Sequence, residues 1–228
     1  MNRPDNNQAP RREIKIVLQN ISEGQARHLI RSHYSAFQPI HYRRRINNVY
    51  FDTPDFLHYH ENVNGLPRRI KPRIRWYGET FGRIQDPVLE IKAKDNLWGT
   101  KFRYNLDPSN DEPPYCWDPI SFPKNQFQVN LGNHQPLLGN TYIREYFLSF
   151  DGHYRLTLDK DVAYFEVHRR FAPALQPWLK DSQGRLVLEI KCDKEHEAGL
   201  PGVVSGFPFR VSRNSKYVNG IRKIHGKA

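Results

Sequence analysis

Charged and apolar residues take turns along most of this chain, and that alternation limits its fold more than any other feature. The extreme case is RRIKPRIRWYG, residues 68–78, in which Arg69, Lys71, Arg73 and Arg75 occupy every second position. Ile74 and Trp76 fall on the opposite parity. Successive side chains of a β-strand leave opposite faces, so a strand here presents four cations on one side and apolar groups on the other. Like charges that close repel, and such a face needs an opposite charge to hold it together.

The pattern recurs. REIKIVL sets Glu13 and Lys15 against Ile14, Ile16 and Leu18; PVLEIKAK sets Glu90, Lys92 and Lys94 against Leu89, Ile91 and Ala93. TKFRYNL, HYRLTLDK and RLVLEIKCD do the same with Lys101 and Arg103, with Arg155, Thr157 and Asp159, and with Glu189 and Lys191. Adding RRINNVYFDT, NTYIREYFLSF and VAYFEVHRR gives about nine strand candidates. The fold is therefore expected to be mostly β, in the α+β class. Helices are few: residues 22–34 open with a Ser22/Gln25 capping box, 53–62 opens with a Thr-Pro cap, and 215–224 carries a third. GLPGVVSG (199–206) reads as a flexible loop, and Pro72 implies a bulge or an edge in its strand.

An ordinary wet face mixes signs. Here the polar faces collect Lys15, Arg69, Lys71, Arg73, Arg75, Lys92, Lys94, Lys101, Arg103, Arg144, Arg155 and Lys191, against Glu13, Glu90, Asp159 and Glu189. A closed antiparallel β-barrel of about eight strands with a few flanking helices reconciles this. Its apolar side chains face outward and its charges line a tunnel narrow enough for opposite walls to meet around one ligand. Cations held that close call for a dense polyanion, such as a triphosphate or a longer phosphate chain. Arginine grips phosphate with a planar fork and lysine adds point charge. Glu90 reads as an internal salt-bridge partner. Glu189, with Glu13 nearby, is the candidate pair for a hard divalent cation, which takes one or two carboxylates plus substrate oxygens.

Bulk properties agree. The 228 residues carry a formal charge of +11, which favours an anionic partner. The two cysteines, Cys116 and Cys192, form no disulfide framework, and no stretch approaches the length of a membrane span. These features point to a soluble cytoplasmic protein: a short disordered N-terminus (1–10) before one domain (11–228), with 107–140 an irregular insertion. No phosphate-binding loop, dinucleotide fingerprint or nucleophile elbow is present, and the histidines lack zinc spacing. Nucleic acid is not expected as a partner, because the cations alternate with residues destined for burial and lack exposed stacking platforms among them.

Taken in order, REIK (12–15), VYFDTPD (49–55), RIRWYG (73–78), LEIKAK (89–94), WGTKFRY (98–104), YIREY (142–146), RLTLD (155–159), LEIK (188–191) and SKYVNGI (215–221) resemble the triphosphate tunnel metalloenzymes. Within them, they resemble the catalytic domain of the vacuolar transporter chaperone, or polyphosphate polymerase, family. The resemblance spans about residues 11 to 221. It implies a tunnel that binds a triphosphate with Mn²⁺ or Mg²⁺, with ATP or a polyphosphate chain as partner and a membrane partner left open. Carried over by motif, Lys15, Arg73, Arg75, Lys92, Lys101, Arg144, Arg155 and Lys216 are expected on phosphate, joined by Lys191 from the alternation. Lys15, Arg73, Arg75, Lys101, Arg144 and Arg155 form the expected catalytic set, Glu189 and Glu13 the metal set, and Ser215 and Lys216 close one end. The cyclase and thiamine-triphosphatase branch opens with ExExK; Arg11 stands at the first acid here, which favours the polymerase branch. Polyphosphate synthesis from ATP is the leading expectation, followed by hydrolysis of a triphosphate and then by binding of a polyanion without chemistry.

Overall fold

The structure, a computed structural model, describes residues 9–80, 84, 86–106, 131–167, 179–181 and 184–226. Its strands are β1 (Arg11–Leu18), β2 (Gln38–Asp52), β3 (Arg68–Tyr77), β4 (Val88–Asp95), β5 (Trp98–Asn105), β6 (Gln135–Leu148), β7 (Tyr154–Glu166), β8 (Leu179–Lys180) and β9 (Leu186–Asp193). They form one sheet in the order β6-β2-β3-β4-β5-β1-β9-β7-β8, and β6 also pairs with β7. Eight strands therefore close into a ring, all the pairings antiparallel, with β8 appended to β7. The thinnest seam joins β1 to β5 through Arg11↔Gly99 and Arg12↔Trp98 alone.

The alternation sorts the ring's two faces. Outside β1, β7 and β9, Ile16, Leu156, Leu188 and Ile190 pack with Ala26 and Ile30 of helix α1 (Glu23–Arg31) and Leu200 and Val203 of helix α3 (Leu200–Ser205). Outside β2 to β5, Val49, Ile74, Trp76, Leu89, Ile91 and Tyr104 form a second cluster. Each such side chain taken from water contributes about 1.5–3 kcal/mol, so burial of the outer faces drives the charged faces inward. The third cluster lies within the ring: Ile46, Tyr50, Leu138 and Tyr142 pack against Tyr59 of helix α2 (Leu57–Val63) and Tyr217, Val218 and Ile221 of helix α4 (Lys216–His225). Helix α4 thus stops one side of the tunnel. Gly220 is what lets it seat, since a Cβ there would come within 2.5 Å of Leu138 and 2.7 Å of Tyr164.

Several expectations need adjustment. Ser22 and Gln25 do make the reciprocal cap of α1. Helix α2, however, starts at Leu57 and not at the Thr-Pro pair. Asp52 accepts from the backbone N–H groups of His58 (2.9 Å) and Tyr59 (3.0 Å), while Thr53 Oγ1 accepts from that of Leu57 (3.1 Å). The described parts of HYRLTLDK and VAYFEVHRR join in one strand, β7 (Tyr154–Glu166), interrupted where Asp161 adopts φ 52 and the register to β6 shifts. Strand β6 begins at Gln135, inside the segment expected to be irregular; residues 107–130 lie outside the described residues, as do 1–8. GLPGVVSG is no loose loop, because it holds α3, whose Leu200 and Val203 are buried. Its Gly206 serves close approach, since a Cβ there would lie 2.3 Å from His33 Nε2. Pro72 sits opposite Ile91 of β4 in an unbroken register, just past the last β2 pair, Tyr50↔Arg73. The missing N–H is therefore placed where β3 has become an edge toward β2. Among the described residues, no helix is long and apolar enough to cross a membrane.

Candidate active site

Two fully buried acids anchor opposite walls of the tunnel. Glu90 of β4 is 0% exposed and accepts from Arg73 Nε (3.0 Å) and Nη2 (2.7 Å) and from Lys101 Nζ (3.1 Å). Arg75 and Arg103 approach to 3.5 and 3.6 Å. Register explains the hub, because Arg73 and Arg103 are the cross-strand partners of Glu90 on β3 and β5. Burial alone would raise the Glu90 carboxyl, but Arg75, Arg73 and Lys101 outweigh it and hold the group well below the usual range. Across the ring, Asp159 of β7 takes a two-pronged grip from Arg144 of β6 at 2.5 and 2.7 Å, and Lys216 at the start of α4 joins it. Burial opposes ionisation of Asp159, yet Arg144 and Lys216 keep it low.

The remaining acids are less committed. Glu189 pairs with Lys191, and more distantly with Lys15 at 3.6 Å and Arg144 at 3.9 Å. Glu13 meets Lys15 at 2.9 Å, Lys191 at 3.5 Å and Lys92 at 3.8 Å. Both are lowered despite burial. Lys191, Lys15 and Arg144 act on Glu189, while Lys15, Lys92 and Lys191 act on Glu13 against the repulsion of Glu189. The two carboxylates already share cations, since Lys15 and Lys191 each contact both of them. A hard divalent ion accepts one or two carboxylates and draws its other oxygens from water or phosphate, so this pair fits one. No three of His, Cys, Asp and Glu gather at metal-holding distance among the described residues. Any ion here would therefore complete its shell with water or substrate oxygens.

Lysines record the surplus of positive charge. Lys71 donates to Ser215 Oγ at 3.3 Å and is pushed well down by burial and by Lys15 and Lys92, with Glu13 opposing. Glu13 pulls Lys92 up, but burial with Arg73 and Lys191 outweighs it and brings Lys92 down to about 7. Burial, Arg75 and Arg73 bring Lys101 down to about 8 against the pull of Glu90. Lys15 is the exception: burial would lower it, yet Glu13 and Glu189 raise it, and its Nζ also donates to the Asn214 carbonyl at 3.0 Å.

Of the expected site residues, the fold brings Lys15, Arg73, Arg75, Lys92, Lys101, Arg144, Lys191, Lys216, Glu13 and Glu189 into this one network. Ser215 both caps α4 and receives Lys71. Arg155 shares the parity of Thr157 and Asp159 but lies exposed, opposite Lys191 in register, at the tunnel's rim. Sequence reasoning left Asp159 without a role and missed the hydroxyls and amides between the arginines. Tyr50 OH accepts from Arg73 (3.2 Å), Tyr142 OH from Arg75 (3.3 Å), and Asn48 Oδ1 from Arg75 Nε (3.0 Å). The available signal was parity, since Asn48 and Tyr50 alternate with Val49 and Phe51 in VYFD and its flank. Asn140 Nδ2 and Thr157 Oγ1 are buried without a partner, and both sit on this inner face beside the arginines or Asp159.

This geometry has relatives. The family model described as VTC domain matches residues 10–113 and 121–225. Among solved structures, a Hippeastrum adenylyl-cyclase-like protein described as having a dominant triphosphatase activity aligns at 18% identity and TM-score 0.50, covering 96% of this chain and 97% of that one. A protein from Pyrococcus horikoshii aligns at 13% identity and TM-score 0.53, covering 93% and 99%. One described as an adenylate cyclase from Bacillus halodurans aligns at 14% and 0.51, covering 95% and 99%. At these identities the structural likeness speaks for the fold. No curated protein matches the sequence.

Proposed function

Because the chain belongs to the VTC domain family, we propose that its tunnel binds a triphosphate together with Mn²⁺ or Mg²⁺ and transfers phosphoryl groups, building polyphosphate from ATP. The observation that carries this reading is the inward surplus of cations. Lys71, Lys92 and Lys101 are held at lowered pKa among arginines, and four acids, two of them locked in arginine grips, do not neutralise the set. A polyanion threaded between Arg75, Lys101, Lys15 and Arg144 would relieve that repulsion.

Each residue's part follows from its surroundings. Arg73 and Arg144 are fixed by Glu90 and Asp159, so their forks are positioned before substrate arrives. Pre-set charges of this kind stabilise the loose, charge-dispersed transition state of phosphoryl transfer without reorganising. Lys15, Lys92 and Lys191 line the path that the chain of phosphates would follow, and Arg155 meets it at the rim. Glu189, with Glu13, would hold the divalent ion, which when bound offsets charge on the phosphate oxygens. The carboxyls of Glu13, Glu90, Asp159 and Glu189 are all lowered, so none of these four is tuned toward neutrality. Water needs a base to activate it, a role these carboxylates do not suit and that falls to lysines of lowered pKa such as Lys92 or Lys101, whereas the terminal phosphate of a growing chain is already an oxyanion. That contrast favours phosphate as acceptor.

A second reading is hydrolysis in the same tunnel, favoured by the triphosphatase activity described for the Hippeastrum neighbour. Incubating the purified chain with ATP and Mn²⁺ separates the two. Gel-resolved phosphate chains together with ADP support the polymerase. Free phosphate without chains supports the hydrolase. Neither product, with or without metal, defeats both.

A further inference from the structure

The inner face does not end at the arginines. Along β3 it runs from Arg75 to Tyr77, and along β6 from Arg144 to Tyr146. On β2, Arg44 is the register partner of Arg144. The Arg44 guanidinium lies 4.6 Å from the ring centre of Tyr146 and 4.7 Å from that of Tyr77, with Tyr42 at 5.9 Å. Its Nε is buried without a hydrogen-bond partner, and no carboxylate among the described residues pairs with it. The rings therefore hold this cation, whereas Arg73 and Arg144 rest on carboxylates. Tyr42 is 78% exposed and Tyr77 38%. Aromatic surface left open to water around an underused arginine is a flat, cationic patch.

We propose that Arg44, Tyr77, Tyr146 and Tyr42 form a stacking platform for a nucleobase at the tunnel rim, so that a nucleoside triphosphate enters with its phosphates toward Arg75 and Arg144. Any base offers a π-face to such rings, and a stacked guanidinium adds cation–π attraction. Two residues along a strand advance about 6.6 Å, so each tyrosine stands roughly one sugar's length beyond an arginine of the tunnel. Among the described residues the opposite side offers no such place, because its aromatic residues Tyr50, Tyr59 and Tyr217 are buried where α2 and α4 pack into the ring. The base is therefore assigned to one mouth, and the terminal phosphate points inward toward Lys15 and Glu189.

This inference rests on the triphosphate reading of the tunnel, and one titration separates the two. ATP and inorganic tripolyphosphate are each titrated calorimetrically into the full chain in EDTA, using wild type, Tyr77→Leu, Tyr77→Phe and Arg44→Met. Loss of base stacking is expected to raise the ratio of ATP to tripolyphosphate dissociation constants roughly fivefold to a hundredfold in Tyr77→Leu. Arg44→Met moves the ratio the same way, and Tyr77→Phe, which keeps the ring, leaves it near wild type. Folded spectra by circular dichroism qualify each variant for comparison. If wild type binds both ligands and neither Tyr77→Leu nor Arg44→Met changes the ratio, the platform is overturned while the tunnel stands. If wild type binds neither ligand, the tunnel reading falls and the platform with it.

Discussion

Replacing Lys71 with methionine should make the free protein more stable and a worse ligand for polyphosphate, a pairing of signs that few buried-residue substitutions produce. In the free tunnel Lys71 donates to the Ser215 hydroxyl at 3.3 Å, and Lys15, Lys92 and Arg69 repel it while Glu13 attracts it. Two unit charges about 7 Å apart at an effective dielectric near 20 repel by about 2 kcal/mol. With several such neighbours, one opposing acid and partial solvent screening, relief of about 1–2 kcal/mol is the expected gain. For a chain of this size that raises the melting temperature by about 2–8 °C. Against phosphate the same ammonium makes a charge-assisted hydrogen bond worth about 1.5–3 kcal/mol, so tripolyphosphate affinity should fall roughly tenfold or more. Scanning calorimetry with and without tripolyphosphate reads both effects. The pH dependence carries a sign as well. A lysine whose folded pKa lies below its unfolded value penalises the fold fully below the folded pKa and ceases to above the unfolded one. Wild type should therefore gain stability as pH rises from 7 toward 10, and the variant's advantage should shrink over that window. A variant that melts below wild type and binds tripolyphosphate equally well would refute the reasoning, because Lys71 would then be held by attraction.

Further outcomes follow from the same geometry. Glu189→Gln should abolish metal-dependent turnover of ATP while leaving tripolyphosphate binding in EDTA equal or tighter, since it removes an acid that Lys15 and Lys191 now share; unchanged turnover would remove Glu189 from the metal set. Lys92 is held near 7 in the free tunnel and an anion favours its protonated form, so polyanion binding should take up a proton. Affinity should then drop several-fold between pH 6 and 8, and calorimetry in buffers of different ionisation enthalpy would reveal uptake or its absence. Gly220→Ala should cost about 1–3 kcal/mol of stability, because the added methyl presses on Leu138 and Tyr164; an unshifted melting temperature would mean that α4 is not seated in the ring.

Which parts of this could be read in advance has a physical pattern. The Ser22/Gln25 cap and most strands were legible because one cap motif and one period suffice to specify them. The start of strand β6 is hidden in the sequence because the adjacent Leu137 and Leu138 are both buried in one cluster, and such a run shows no period of two. Strand β7 was split because the kink at Asp161 resets its parity. Helix α3 reads as a loop in the sequence because glycines suggest flexibility, whereas Gly206 serves contact with His33. At the site, alternation placed the cations on one side of each strand, but pairing depends on cross-strand register. Nothing in LEIKAK or RLTLD says that Glu90 will hold Arg73, or that Asp159 will hold Arg144 and Lys216. Arg155 has the right parity yet stands at the rim, because it is only the second residue of β7 and alternation does not say how far along the tunnel a residue lies.

A crystal structure of the chain grown with tripolyphosphate and Mn²⁺ bears most directly on the central claim. The expected result is a phosphate chain lying inside the ring within hydrogen-bonding reach of Lys15, Lys101 and Arg144, with the ion on Glu189. An unfilled ring at saturating ligand, with phosphate settled instead on outer-surface arginines, would contradict it.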